Sequence, residues 1–150
     1  MNKYLFYDTS ALLLDNKISL KQKLTISSIT LNELESIKNS NSKDNETKIA
    51  ARALTKYIAN HPDNFEVIQY RQSMLDPIRE KDLEINSDMK ILGCAIEYDK
   101  NYHPDETIFV TADLGQYLTA NLFFGKDSVE FLQFKDEEEY EGYITVQLNE

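Results

Sequence analysis

The run Lys3-Tyr4-Leu5-Phe6-Tyr7 is apolar and aromatic for nearly its whole length. It stops on Asp8-Thr9-Ser10 before Ala11-Leu12-Leu13-Leu14 resumes. A short continuous apolar run specifies a strand buried on both faces, as in a parallel sheet covered by helices. Such a strand gains nothing in packing from ending on an acid. Ligands of open α/β sheets bind outside the carboxyl ends of the strands, so Asp8 is placed for chemistry.

Four more stretches read as strands. Thr25–Ile29 is a polar one, and Phe65–Gln69, Thr107–Thr111 and Ser128–Gln133 follow. Helical patterns separate them. Ala11–Leu14 starts a helix or turn. Thr30–Lys38 sets Leu31, Leu34 and Ile37 on one side. Thr47–Ala59 is the clearest helix, with Ile49, Ala50, Ala53, Leu54, Tyr57 and Ile58 as its apolar face and Lys48, Arg52 and Lys56 opposite. It ends at His61-Pro62, because proline excludes helical continuation. Asn86-Ser87-Asp88 opens another helix, buried through Ile91, Leu92, Ala95 and Ile96, and a last one runs from Leu114 to Leu122 with Gly125 as its cap. Residues 39–46 form a polar surface loop, and 71–85 resist assignment, since Pro77 prevents one uninterrupted helix. Strands alternating with helices predict an α/β fold with a parallel sheet flanked by helices.

At 150 residues the chain has the size of one domain. That domain is expected over residues 1–134, with 135–150 as an acidic C-terminal tail or linker in which Tyr143–Leu148 alternates like an exposed strand. A net charge of −10 argues against nonspecific duplex binding through a broad basic face, but suits a cluster of metal-binding carboxylates. A single cysteine, Cys94, excludes an internal disulfide and a cysteine-based zinc site, and reads as a small core residue. The apolar start lacks a cleavage pattern, and no apolar run approaches the length of a membrane span. A cytoplasmic protein is expected.

Four acids occupy comparable places. Asp8 and Asp113 follow the first and fourth strands, Glu33 lies in the first turn of the helix after the second, and Asp88 opens a helix with its side chain on the core-facing side. In a parallel sheet the strand ends share one edge, so these carboxylates can converge. Like charges that close do not all stay ionised without a cation, and oxygen-only ligands suit Mg²⁺ or Mn²⁺. Each acid also has a structural reading. Asp88 and Asp113 fit helix caps, and Thr30-x-x-Glu33 fits a capping box. Asp8 has the weakest structural alternative, and the set carries more weight than any member.

The set resembles the motifs of PIN-domain ribonucleases. Asp8-Thr9-Ser10-Ala11-Leu12-Leu13 resembles the first motif, and Leu31-Asn32-Glu33-Leu34-Glu35-Ser36-Ile37-Lys38 the second. Asn86-Ser87-Asp88-Met89-Lys90-Ile91-Leu92-Gly93-Cys94-Ala95 resembles the third, and Val110-Thr111-Ala112-Asp113 the fourth. They appear in family order over residues 3 to about 134. Ala50-Ala51-Arg52-Ala53-Leu54, the Glu33–Lys38 stretch and the tail Tyr140–Leu148 resemble the PIN domains found N-terminal to PhoH-like ATPases, although the chain lacks the phosphate loop of an ATPase. The resemblance implies a three-layer α/β/α sandwich with a central, mainly parallel sheet and its first strand near the middle. It implies a Mg²⁺- or Mn²⁺-dependent endoribonuclease acting on single-stranded RNA by in-line attack of a metal-activated water, leaving 5′-phosphate and 3′-hydroxyl ends. Asp8 and Asp113 are then direct metal ligands. Glu33 and Asp88 act through water or a second ion, and Ser10 and Thr111 orient a carboxylate or a bound water. Many relatives carry one more acid shortly after the fourth motif. Here Leu114-Gly115-Gln116-Tyr117 supplies none, which bears on the second metal.

RNA needs cations near such a site. Lys48, Arg52 and Lys56 form an i, i+4, i+8 stripe, and Lys38 and Lys43 border the polar loop; each also reads as ordinary solvated surface. Tyr4, Phe6 and Tyr7 read as core rather than as base-stacking platforms, and His61 and His103 as surface residues. The alternative function is a weakly active or inactive PIN-fold module that recruits or regulates a partner, such as a PhoH-like ATPase or a second copy of the chain. A phosphatase of the haloacid dehalogenase type ranks lower, because its second Asp is replaced here by Ser10.

Overall fold

The computed structural model describes residues 3–14 and 23–133. Its five strands are β1 (Tyr4–Tyr7), β2 (Leu24–Ser27), β3 (Phe65–Ile68), β4 (Thr107–Thr111) and β5 (Val129–Phe131). They form one sheet in the order β3-β2-β1-β4-β5, with every neighbouring pair parallel. Six helices flank it: α1 (Thr9–Leu14), α2 (Ser28–Lys38), α3 (Asn45–Asn60), α4 (Asp76–Arg79), α5 (Ser87–Asn101) and α6 (Leu114–Ala120). This is the expected α/β sandwich, with β1 at the centre of the sheet. Among the described residues no helix is long and apolar enough to cross a membrane. The expected strand over Tyr143–Leu148, the polar stretch 16–22 and the tail 135–150 lie outside the described residues.

The two-residue period of the strands splits their side chains between two cores. Phe6 and Phe109 enter one, with Ile91, Leu92 and Ala95 of α5 and with Met74, Leu75 and Ile78. Tyr7, Ile26 and Val110 enter the other, with Ala11 and Leu12 of α1, Leu34 of α2, and Ala51 and Leu54 of α3. The central strands are therefore covered on both sides, which explains why β1 is an unbroken apolar run.

The polar character of β2 also has a packing reason. Thr25 and Ser27 are buried on the face toward α5. The Thr25 hydroxyl donates to the Tyr98 hydroxyl at 3.1 Å, which donates in turn to Glu66 Oε1 at 3.0 Å. Ser27 Oγ lies 3.3 Å from Cys94 Sγ. Cys94 is a buried core residue, as expected, and burial pushes its thiol pKa up. β2 is shorter than the sequence suggests. Ser27 caps α2 by accepting from Ile29 N at 3.0 Å, so the helix starts at Ser28 and Thr30 is inside it, not at its cap.

Three other expectations change. The buried side of α3 carries Ala51 and Leu54, while Ile49 is 60% exposed and Ala53 is exposed. The apolar face is thus rotated toward Lys48, which is half-buried, because Ala51 and Leu54 are the residues that α3 turns into the core shared with α1 and α2. Gly125 has φ −65° and precedes a 3₁₀ turn instead of capping α6, whose C-cap is Asn121. Tyr4 is 39% exposed and stacks on His103 with ring centroids 3.5 Å apart, so it is not core.

The unassigned stretch 71–85 supplies much of one core. A 3₁₀ turn (Gln72–Leu75) leads into α4, and Pro77 sits at the helix start, where its missing N–H is harmless. Met74, Leu75 and Ile78 are all buried. This backbone comes so close to α5 that a Cβ on Gly93 would lie 2.6 Å from the Met74 carbonyl oxygen. Glycine is required there for space.

From β1 the chain steps to β2 and β3 on one side, then returns to place β4 on the other side of β1. Strand order reverses between β1 and β4. The crevice above their carboxyl ends is the position where this topology opens a ligand site, and Asp8 and Asp113 stand at it.

Candidate active site

Asp8 closes β1. Its N–H donates to the Val110 carbonyl at 3.0 Å, which extends the pairing with β4, and only 3% of the residue is exposed. Asp8 Oδ1 accepts from Ser10 Oγ at 2.8 Å and from Ala11 N at 2.9 Å, and Oδ2 accepts from Thr111 Oγ1 at 2.5 Å. Those hydroxyls are themselves held. Ser10 Oγ accepts from Ala112 N at 2.9 Å, and Thr111 Oγ1 accepts from Asp113 N at 3.1 Å. Asp8 thus ties the start of α1 to the end of β4. Burial nevertheless pushes its pKa up to about 6, overriding the donors that favour its ionised form, and the charge of Asp88 adds to the shift.

Glu33 lies in the second turn of α2, not the first, because the helix begins at Ser28. No capping box forms. Glu33 Oε1 instead accepts from Thr9 Oγ1 at 2.5 Å, and Thr9 Oγ1 also lies 3.0 Å from Thr30 Oγ1. Burial raises the Glu33 pKa, and Asp88 adds to it. Thr9 was missed as a site residue. Its signal was its place between Asp8 and Ser10, where the helix turn aims successive side chains at different partners.

Asp88 is in the first turn of α5, but Asn86 does the capping by accepting from Met89 N at 2.9 Å. That leaves the half-buried Asp88 carboxyl free for another role. Its pKa is raised by burial and then by the charge of Asp113. Asp113 is exposed and caps α6, accepting from Gln116 N at 3.3 Å, so its structural reading is realised without occupying the whole carboxylate.

Asp88 is the electrostatic centre. Its charge acts on Asp8 and on Glu33, and Asp113 acts on it. The topology therefore brings all four acids into one field. The three ion pairs among the described residues, Lys38–Glu35, Arg71–Glu97 and Arg79–Asp76, involve none of them.

A hard divalent cation matches this donor set in chemistry, since every donor is oxygen and the carboxyls have no ion-pair partner among the described residues. Among the described residues, however, no group of three or more His, Cys, Asp or Glu side chains is gathered into a metal cluster. A second observation favours the fit. Gln116 is 3% exposed, its Nε2 donates to the Asp88 carbonyl at 2.9 Å, and its Oε1 is buried without a hydrogen-bond partner among the described residues. Leaving a buried acceptor unpaired costs about 1–3 kcal/mol, so such atoms are rare without a ligand or a functional reason. The sequence marked Gln116 only as a place where an acid was missing.

The expected RNA-facing cations are less concentrated. Lys38 pairs with Glu35 at 2.9 Å, Lys48 is half-buried, and Arg52 and Lys56 are exposed on α3. Beside Asp113, α6 and the turn after it expose Leu114, Leu118 and Leu122 at 58%, 59% and 54%.

The family model described as "PIN domain" matches residues 5–123, which contain all four acids, Thr9 and Gln116. No curated protein matches the chain.

Proposed function

Because the chain belongs to the PIN-domain family, whose members are generally metal-dependent nucleases, we propose that it is a Mg²⁺- or Mn²⁺-dependent endoribonuclease of single-stranded RNA. The observation that carries this reading is Asp8, a carboxyl 3% exposed at the switch point of the sheet, in the field of Asp88. A buried, partly proton-retaining acid is a poor structural element and a good cation ligand.

In this reading Asp8, Asp88 and Asp113 hold the cation, and Glu33 acts from the α2 side. A bound divalent ion supplies water activation and charge stabilisation at the phosphoryl group. Thr111 and Ser10 fix both oxygens of Asp8, so the carboxylate does not reorient as the substrate arrives. Thr9 does the same for Glu33. Lys38, Lys48 and Arg52 are the cations proposed to meet the RNA backbone, with single-stranded substrate favoured because the net charge of −10 offers no broad basic face for a duplex. A cytoplasmic setting suits the single buried thiol of Cys94.

The exposed leucines of α6 favour a second role for the same fold, as a module that recruits a partner such as a PhoH-like ATPase or a second copy of the chain. Incubation of the chain with single-stranded RNA and Mn²⁺ or Mg²⁺ separates the two. Cleavage by the wild type that Asp8→Asn abolishes supports the nuclease. Equal trace cleavage by both proteins across a range of RNAs and metals would overturn it in favour of the recruiting module.

A further inference from the structure

Gln116 is the buried polar side chain at this site whose bonding is incomplete. Its backbone N–H donates to Asp113 Oδ1 at 3.3 Å and its Nε2 donates to the Asp88 carbonyl at 2.9 Å, so its backbone is tied to one of those acidic residues and its side-chain amide to the other. The Nε2 contact also fixes which way the amide lies. Exchanging its nitrogen and oxygen would set Oε1 against a carbonyl oxygen, two acceptors face to face. The oxygen is therefore committed to a buried position in which it has no donor among the described residues.

The surrounding chemistry limits what can satisfy it. A carboxylate is an acceptor only, and no cationic side chain pairs with Asp88 or Asp113 among the described residues. A buried acceptor without a donor is satisfied by an electron-poor partner. We infer that Gln116 Oε1 is an uncharged oxygen donor to the divalent cation of this site, on the side formed by the first turns of α5 and α6. An amide carbonyl suits a hard cation. It also adds a ligand without adding charge to a field in which Asp88 already raises its neighbours' affinity for protons. Nε2 is the positioning half of the group, since its bond to the Asp88 carbonyl fixes the oxygen. The inference rests on the cation-dependent reading above and deepens it.

Mn²⁺ binding measured by calorimetry on the metal-stripped chain, with melting curves recorded in chelator, tests it independently of cleavage. Gln116→Met removes both polar atoms at similar length, and its affinity for Mn²⁺ is expected to fall about ten- to a hundredfold while the metal-free protein stays folded. If that variant does not fold, Gln116→Asn, one methylene shorter, takes its place with the same expected loss. Gln116→Glu keeps an oxygen but loses the donor to Asp88. It is expected to melt lower without metal and to bind Mn²⁺ at least as tightly as the wild type. Wild-type affinity in Gln116→Met overturns the inference. So does equal weakening in Gln116→Met and Gln116→Glu, which would assign the amide to holding α5 alone. Asp8→Asn separates the two levels of the argument. If it loses Mn²⁺ while Gln116→Met does not, only the role of Gln116 falls. If the wild type binds no Mn²⁺, the nuclease reading falls with it.

Discussion

The Thr111 hydroxyl donates to Asp8 Oδ2 at 2.5 Å, joining residues 103 positions apart in the chain. The bond locks the carboxyl at the end of β1 to the last residue of β4, across the point where strand order reverses. Thr111 is fully buried, so water cannot replace its hydroxyl.

Thr111→Val therefore keeps the shape of the side chain and removes the donor. Asp8 Oδ2 loses its partner while buried, which is expected to lower stability at neutral pH by about 1–3 kcal/mol. RNA cleavage is expected to fall about ten- to a hundredfold, as for other residues that orient a metal ligand. Chemical denaturation and initial cleavage rates measure the two effects. Wild-type values for both would remove Thr111 from the site.

Gly93→Ala probes the packing beneath the site. The added Cβ would meet backbone, the Met74 carbonyl oxygen at 2.6 Å, rather than a side chain able to swing away. Overpacking of this kind typically costs about 1–3 kcal/mol. The melting temperature should fall by several degrees, and a shift within error would mean that the turn at 72–75 yields readily.

Much of this architecture was legible in the sequence, and the failures share a cause. Unbroken apolar runs such as Leu5–Tyr7 and Ile108–Val110 announce strands buried on two faces, and the acids beyond them mark the edge of the sheet. What single-residue patterns do not show is long-range pairing. Thr25 and Ser27 give β2 a polar look in sequence, because their partners Tyr98 and Cys94 lie on a distant helix. Stretch 71–85 resists assignment, because its buried residues Met74, Leu75 and Ile78 follow no helical or strand period across a 3₁₀ turn and a proline. Thr30-x-x-Glu33 imitated a capping box, but the cap fell three residues earlier, on Ser27, and Glu33 was left to Thr9. In Gln116 an absent acid stood out more than the amide that was present.

Thr9→Val tests whether the hydroxyl beside Asp8 serves Glu33. Thr9 and Thr30 form a buried pair, so some loss of stability is expected, about 1 kcal/mol for one hydrogen bond. If Glu33 contributes to cleavage through its fixed position, the catalytic rate should fall with little change in RNA binding. Loss of stability with an unchanged rate would leave Thr9 as packing alone.

The pKa of Asp8 makes a prediction about pH. Burial raises it from 3.8 to about 6 in the folded chain, so between those values the folded state holds a proton that the unfolded chain has released. The metal-free protein should lose stability as pH rises from 4 to 6, by about 3 kcal/mol at most, and the loss should be complete above 6. Glu33 and Asp88 shift in the same direction. Asp8→Asn removes the charge, so its stability should vary less over this window, and at pH 7 it should equal or exceed that of the wild type in chelator. A divalent cation reverses the trend for the wild type alone, because it binds the ionised carboxylates of the folded state and its stabilisation grows as they deprotonate. Melting temperatures recorded at several pH values, with chelator and with Mn²⁺, contain both tests. A wild type that melts identically at pH 4.5 and pH 7 in chelator would show that Asp8 does not hold its proton in the folded chain.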